Sequence, residues 1–162
     1  DMGMDPFNFA DALLGILAQR LAKKLCDCKA SYVPNGSELK KFVAEYADEL
    51  RHSKAWTLDY EGETQKLIDD WVELYGDNGQ LKFYRHVGCD KCGNTGYKGR
   101  VGLHELLIAD DEIKKLIQER ARVSQIFAAA VEGGMRTLKM DGMEKVMLGL
   151  TDLKMVRQVC IK

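Results

Sequence analysis

Val87-Gly-Cys-Asp-Lys-Cys-Gly-Asn-Thr-Gly-Tyr-Lys-Gly-Arg-Val-Gly-Leu-His-Glu-Leu106 holds two cysteines one turn apart, five glycines, and then an alternation of apolar and polar residues. A Cys-x-x-Cys turn such as Cys89-x-x-Cys92 aims two thiolates at one ion. Val101 to Ile108 reads as a half-buried strand, and Leu81, Phe83, Arg85 and Val87 alternate in the same way upstream. The stretch therefore predicts a short β-hairpin whose connecting loop is a metal knuckle. That loop has too little apolar content to hold its shape without a staple.

The partner for this pair lies 60 residues earlier, in Cys26-x-Cys28. Together Cys26, Cys28, Cys89 and Cys92 make the ligand set of a tetrahedral Zn²⁺ site with no open position for water, which is structural and not catalytic. Lys23, Lys24, Lys29, Lys91, Lys98 and Arg100 flank the cysteines and favour their thiolate forms. Two close pairs in a chain without an export signal point to ligands more than to disulfides. Three alternatives stay open. The thiols are free and partly buried, Cys89 and Cys92 form a redox dithiol, or His86 replaces one ligand because Cys26-x-Cys28 is a tight chelate. His52 and His104 have no role in this reading. Cys160, among Val156, Val159 and Ile161, is expected as a small buried hydrophobe.

Outward from the knuckle, the apolar spacing is helical. Leu13, Leu14, Leu17, Leu21 and Leu25 predict a buried helix over 10–25. A second helix buries Leu39, Phe42, Val43, Tyr46, Ala47 and Leu50, with a capping box at Asn35 and Glu38. Residues 53–61 are expected as loop, followed by a helix from Glu63 to Tyr75 that docks through Trp71. The segment from Ser53 to Gln80 then reads as a removable add-on. Asp110 is expected to cap a helix holding Ile113, Leu116 and Ile117. Further helices are expected over Ser124–Glu132, over Thr137–Leu148, and from a Thr151 cap to about Val159. Leu138 should be buried, and Gly142 should mark a close approach. The fold expected is mostly α with a small β element: a helical module with a tetracysteine zinc knuckle on a short β-hairpin and a C-terminal bundle of short helices. Residues 1–108 form the helix and knuckle region, including an inserted acidic segment at about 37–80. Residues 109–162 form the bundle.

Of 162 residues, 46% are hydrophobic and 30% charged, enough for a packed core under a soluble surface. Net charge is −1, yet Ser37–Gln80 alone holds eleven acidic and five basic residues. The longest apolar runs, Leu13–Ala18 and Ile126–Val131, fall far short of the roughly 20 residues a bilayer requires. No leader is visible, and a chain beginning at Asp1 reads as an excised segment. The sequence contains no Gly-x-x-x-x-Gly-Lys-[Ser/Thr] loop, no Gly-x-Ser-x-Gly elbow and no His-Glu-x-x-His helix. No catalytic or nucleotide-binding residue is expected, and the chain alone is not expected to be an enzyme.

Three stretches, in order, resemble the secretion ATPase family that drives type II secretion and type IV pilus assembly. They are Asp1-Met-Gly-Met-Asp-Pro-Phe7 with Ala18-Gln-Arg-Leu-Ala-Lys-Lys-Leu-Cys26, then the knuckle stretch itself, then Gly134-Met-Arg-Thr-Leu-Lys-Met-Asp-Gly-Met-Glu-Lys-Val146 running on to Thr151. The resemblance implies a cytoplasmic hexamer, docked at the inner membrane through a platform protein. ATP and Mg²⁺ would be bound by a nucleotide core upstream of Asp1. The family's tetracysteine site maps onto Cys26, Cys28, Cys89 and Cys92, with a departure at the first pair, which the family spaces by two residues. Segment 53–80 looks longer than the family's loop. Arg136-Thr-Leu and Asp141-Gly tilt the resemblance toward the secretion branch. The expected role is a structural and interaction module touching its own subunit, neighbouring subunits and the platform, with no nucleic acid. The rival is a free-standing zinc ribbon binding nucleic acid through its basic stretches; steep salt dependence would mark it.

Overall fold

The computed structural model describes Gly3 and residues 5–160. Part of the Asp1–Phe7 stretch, and Ile161 beside Cys160, lie outside those residues. Pro6–Ala12 forms α1, with Pro6 in its first turn and the Asp5 carboxylate accepting the Asn8 N–H. The expected helix over 10–25 is instead a strand, β1 (Gly15–Leu25), paired antiparallel with β4 (Tyr97–Ile108). The register runs from Gly15 opposite Ile108 to Leu25 opposite Tyr97. Leu17, Leu21 and Leu25 recur every four residues, and four is a multiple of two as well as one helical turn, so the spacing fits both periods. The stretch is rich in helix-forming residues, and the long ladder with β4 overrides that propensity.

The expected hairpin is also differently wired. The second strand ahead of the knuckle, β3 (Phe83–Arg85), pairs with β2 (Ala30–Tyr32) and not with β4. The knuckle thus joins two separate two-stranded antiparallel sheets. Cys26 and Cys28 lie between β1 and β2, and Cys89 and Cys92 between β3 and β4.

Most of the rest is helix. Gly36–Ala47 is α2, with Asn35 accepting the Glu38 N–H. The reciprocal half of the expected box is absent, because Glu38 accepts the Tyr32 hydroxyl. The expected loop at 53–61 contains the short helix α3 (Lys54–Leu58) and the start of α4 (Tyr60–Tyr75). The last third holds α5 (Asp111–Gln118), capped by Asp110 as expected, and α6 (Val123–Glu132). It ends with α7 (Leu138–Met147) and α8 (Leu153–Val159). The cap of α8 is Asp152. Thr151, fully buried, donates its hydroxyl to the Lys23 carbonyl and fastens α8 to β1.

One hydrophobic cluster draws on α2, α4, both sheets, α7 and α8, through Phe42, Trp71, Phe83, Leu103, Met143 and Val156. Trp71 stands edge-on to Phe42 and Tyr46, with ring centroids 5.6 and 4.9 Å away. Segment 53–80 therefore docks on the core through Trp71, as expected, with Leu67, Ile68, Val72 and Tyr75 half-buried beside it. A smaller cluster holds Ile113, Ala130, Val131 and Met135. Leu138 is half-buried against the main cluster. At Gly142 a Cβ would lie 2.7 Å from Val156 Cγ1 and 3.1 Å from Leu103 Cδ1, so only glycine lets α7 approach α8 and β4 this closely.

Candidate metal centre

Cys26 follows the last residue of β1, and two hydrogen bonds hold that corner: the Leu25 N–H to Leu150 O and the Cys26 N–H to Gly96 O, both 2.9 Å. The Lys29 N–H closes a turn onto Cys26 O and brings Cys28 round. On the other side, Asp90–Cys92 forms a single 3₁₀ turn that Cys89 caps. Cys89 O accepts the N–H groups of Cys92 and Asn94, and Thr95 ties its hydroxyl to Cys92 O. Gly96 then turns into β4 at φ 77°, where a Cβ would sit 2.6 Å from His86 Cβ. It bonds to both halves of the site, through its carbonyl to Cys26 and its N–H to Cys92 Sγ.

These turns bring the four expected sulfurs together, all within 4.8 Å of one another. Cys26 Sγ is 3.9 Å from Cys89 Sγ, Cys28 Sγ is 4.0 Å from Cys92 Sγ, and Cys89 and Cys92 are 3.8 Å apart. Those separations are twice a disulfide bond. They match the edge of a tetrahedron with metal–sulfur bonds of about 2.3 Å, which is about 3.8 Å. The tight Cys26-x-Cys28 spacing thus closes the set without help from histidine.

The site also favours a thiolate. Desolvation works to raise the Cys92 thiol, but the N–H groups of Cys89 and Gly96, each 3.2 Å from its sulfur, and bonds from Cys89 and Cys28 outweigh it and bring it down to about 6. At Cys28 a backbone bond from Gly88 pulls the other way. Desolvation and the neighbouring Cys89, Cys26 and Cys92 outweigh that pull and push it up to about 11. The two shifts run in opposite directions because closely packed thiols share one titration, in which a charge on one sulfur opposes a charge on the next.

The remaining candidates fall elsewhere. His86 is outside the four-sulfur group; its ring stacks on Tyr97 at 5.2 Å, with Nδ1 3.1 Å from the Tyr97 hydroxyl. His104 lies on β4 with Nδ1 3.9 Å from Asp141 Oδ2, and exposed His52 accepts from Arg51. Cys160 caps α8 at its C-terminus, half-buried, with a thiol raised mainly by burial. Sequence reasoning missed the link from Tyr97 to Asp152, whose hydroxyl–carboxylate bond of 2.5 Å ties the exit of the knuckle to the start of α8. A tyrosine directly after Gly96 was its only signal.

Residues 1–158 match the family described as Type II/IV secretion system protein. The chain is 34% identical over 157 residues to a type IV pilus assembly ATPase of Thermus thermophilus, covering 96% of this chain and 14% of that protein. It is also 34% identical over 160 residues to a type II secretion system ATPase of Vibrio cholerae, covering 98% of this chain and 25% of that protein. A type IV pilus assembly ATPase of Acinetobacter baylyi is 34% identical over 160 residues, 98% of this chain and 22% of its own. The chain spans about a quarter or less of these relatives' lengths.

Proposed function

The chain belongs to the type II/IV secretion system protein family, and from that premise we propose that it is a zinc-stapled structural and interaction module of a secretion or pilus-assembly ATPase. In this reading it does not hydrolyse nucleotide itself. The observation that carries the proposal is the convergence of the Cys26, Cys28, Cys89 and Cys92 sulfurs, all within 4.8 Å of one another, at the point where both sheets meet. Zn²⁺ bound there would cross-link the ends of β1 and β3 and neutralise the thiolates. With four protein ligands it would be a staple and not a Lewis acid for substrate. ATP and Mg²⁺ belong to the nucleotide core of the parent protein.

Membership in a larger subunit is supported by the outer face of the β1–β4 sheet. Leu17 opposite Leu106, Leu21, and Ile108 share that face and are at least half exposed. An apolar stripe of this kind is the place for the remainder of the same subunit, with neighbouring subunits of a hexamer beyond it. No helix of the described residues is long and apolar enough to cross a membrane. A cytoplasmic module that reaches the inner membrane through a platform protein is consistent with that.

The nucleic-acid reading would rest on the basic end of the same sheet, where Lys23 stands opposite Arg100. Tyr97, the aromatic residue at that end, is stacked on His86 and bonded to Asp152, and so does not offer a free face for a base. Purified chain is expected to show no ATP turnover above buffer and no saturable nucleotide binding. Turnover that copurifies with the chain would overturn the assignment of the chemistry to the rest of the parent.

A further inference from the structure

A cavity of about 340 Å³ opens between α2, α8 and the β2–β3 ribbon, away from the cysteines. Its floor is Phe42, Phe83 and Val146, each almost completely buried, and the Tyr32 ring stands edge-on to Phe83 at 6.2 Å. Four cations surround the opening: Lys41 from α2, Arg85 from β3, and Lys154 and Arg157 from α8. Two carboxylates, Glu38 and Asp152, line the slot as well and keep their charge, which leaves four cations against two anions and a positive balance at the opening. Glu38 accepts the Tyr32 hydroxyl at 2.6 Å, and Asp152 accepts the Tyr97 hydroxyl and the Met155 N–H. Arg157 pairs with Glu45 at 2.5 Å and so ties α8 to α2 across the slot, and the Arg85 guanidinium lies 6.0 Å over the Tyr32 ring. Lys41 and Lys154 form no ion pair among the described residues and are exposed.

We propose that this slot docks an acidic peptide segment of a partner protein, which inserts one bulky apolar side chain between α2 and α8 and sets its carboxylates against Lys41 and Lys154. A small-metabolite site needs several polar groups converging inside the pocket to fix orientation. Here the Tyr32 hydroxyl is spent on Glu38, and the unpaired ammonium groups of Lys41 and Lys154 stand at the lip. An apolar anchor with flanking carboxylates matches that division, since the floor takes the side chain and the lip takes the charge. Unpaired ammonium groups around a concave apolar surface also raise the local concentration of an acidic segment, and that attraction weakens with salt. The contact is smaller than a standard protein interface, so the segment would bind in the micromolar range and would act as one anchor of a larger contact.

The test is fluorescence anisotropy of a fluorescein-labelled Asp-Glu-Leu-Asp-Glu peptide with the whole chain at low ionic strength. Expected is saturable, salt-sensitive binding. Lys41→Glu and Lys154→Glu should each weaken it several-fold, and both together by about tenfold or more. Replacing the peptide's leucine by alanine, or its acids by lysine, should abolish it. On the unaltered protein, the methyl resonances of Val146 and Leu153 should shift during the same titration, which needs no variant to fold. The proposal is overturned by an absence of saturable binding, by binding indifferent to both lysines, or by equal binding of the lysine peptide. It is also overturned if those methyl signals stay still, or if the chain prefers anionic phospholipid vesicles to the peptide.

Discussion

Asp152 shows how much one side chain can hold. Its Oδ1 accepts the Met155 N–H and caps α8, while Oδ2 accepts the Tyr97 hydroxyl, with His86 Nδ1 3.8 Å away. Burial and then this carboxylate raise the Tyr97 hydroxyl above its ordinary value, so the proton stays on the tyrosine and the bond persists across neutral pH. Asp152→Ala is expected to lower stability by about 2 kcal/mol, from a lost cap and a lost charge-assisted bond. Urea unfolding should register it as a lower midpoint with an unchanged slope. The sequence reading put the cap at Thr151, one residue early. Thr and Asp are both good caps, and only the contact between Thr151 and the Lys23 carbonyl decides which one is free to do it. Glu45 carries a second prediction. Its carboxyl is held below the ordinary 4.5, first by the hydrogen bond from Arg157, with burial opposing and Lys139 adding to the effect. A carboxylate depressed in the folded state stabilises fully above its unfolded value, and that contribution is lost as pH falls through the lower folded value. Glu45→Gln should therefore melt below the unaltered chain at neutral pH. The two melting curves, followed against pH, should converge as the solution is acidified below 4.5.

At the scale of the element, α4 and β1 explain which features the sequence discloses. The helix α4 could be read because Leu67, Ile68, Trp71 and Tyr75 mark one face at helical spacing, while its first residues and the Asp59 cap on the Gly62 N–H lie in the stretch expected as loop. Its depth could not be read, because nothing local says that Trp71 meets Phe42 and Tyr46, or that the Tyr75 hydroxyl reaches Glu144. β1 was misread because its leucines satisfy two periods at once and its partner strand lies some eighty residues away. The grouping of the four cysteines was legible because they are rare and paired, whichever strands carry them. The wiring of the strands around it was not, since β2 and β3 are three residues each and make no pattern on their own. Trp71→Ala should cost about 3–5 kcal/mol, as expected for removing a large ring from a packed core. Replacing residues 53–80 by a short flexible linker should expose Phe42, Tyr46 and Phe83. Collapse of amide dispersion throughout the chain is the expected result. A well-dispersed spectrum from that deletion would show that α4 lies outside the cooperative core.

For the whole molecule, the cysteines stand where β1 turns into β2 and β3 turns into β4, so one ion bound there would fix two sheets that share no strand. The helical core closes without them, through Leu103, Met143 and Val156. Removing a bound metal should therefore loosen the knuckle from Cys89 to Arg100 and leave α7 and α8 protected, which hydrogen exchange with and without a chelator would resolve. The apolar outer face of β1 and β4 lies away from the cysteines and exposes Leu17, Leu21, Leu106 and Ile108. The most direct measurement of an ion at the four sulfurs is elemental analysis of protein purified without chelator, joined to zinc K-edge absorption on the same sample. The account predicts one zinc per chain, surrounded by four sulfurs at about 2.3 Å, with Cys160 still free to react. Zinc far below one per chain, with all five thiols titrating freely in the native protein, would contradict it. A shell containing nitrogen in place of one sulfur would contradict the ligand set and move one ligand to His86.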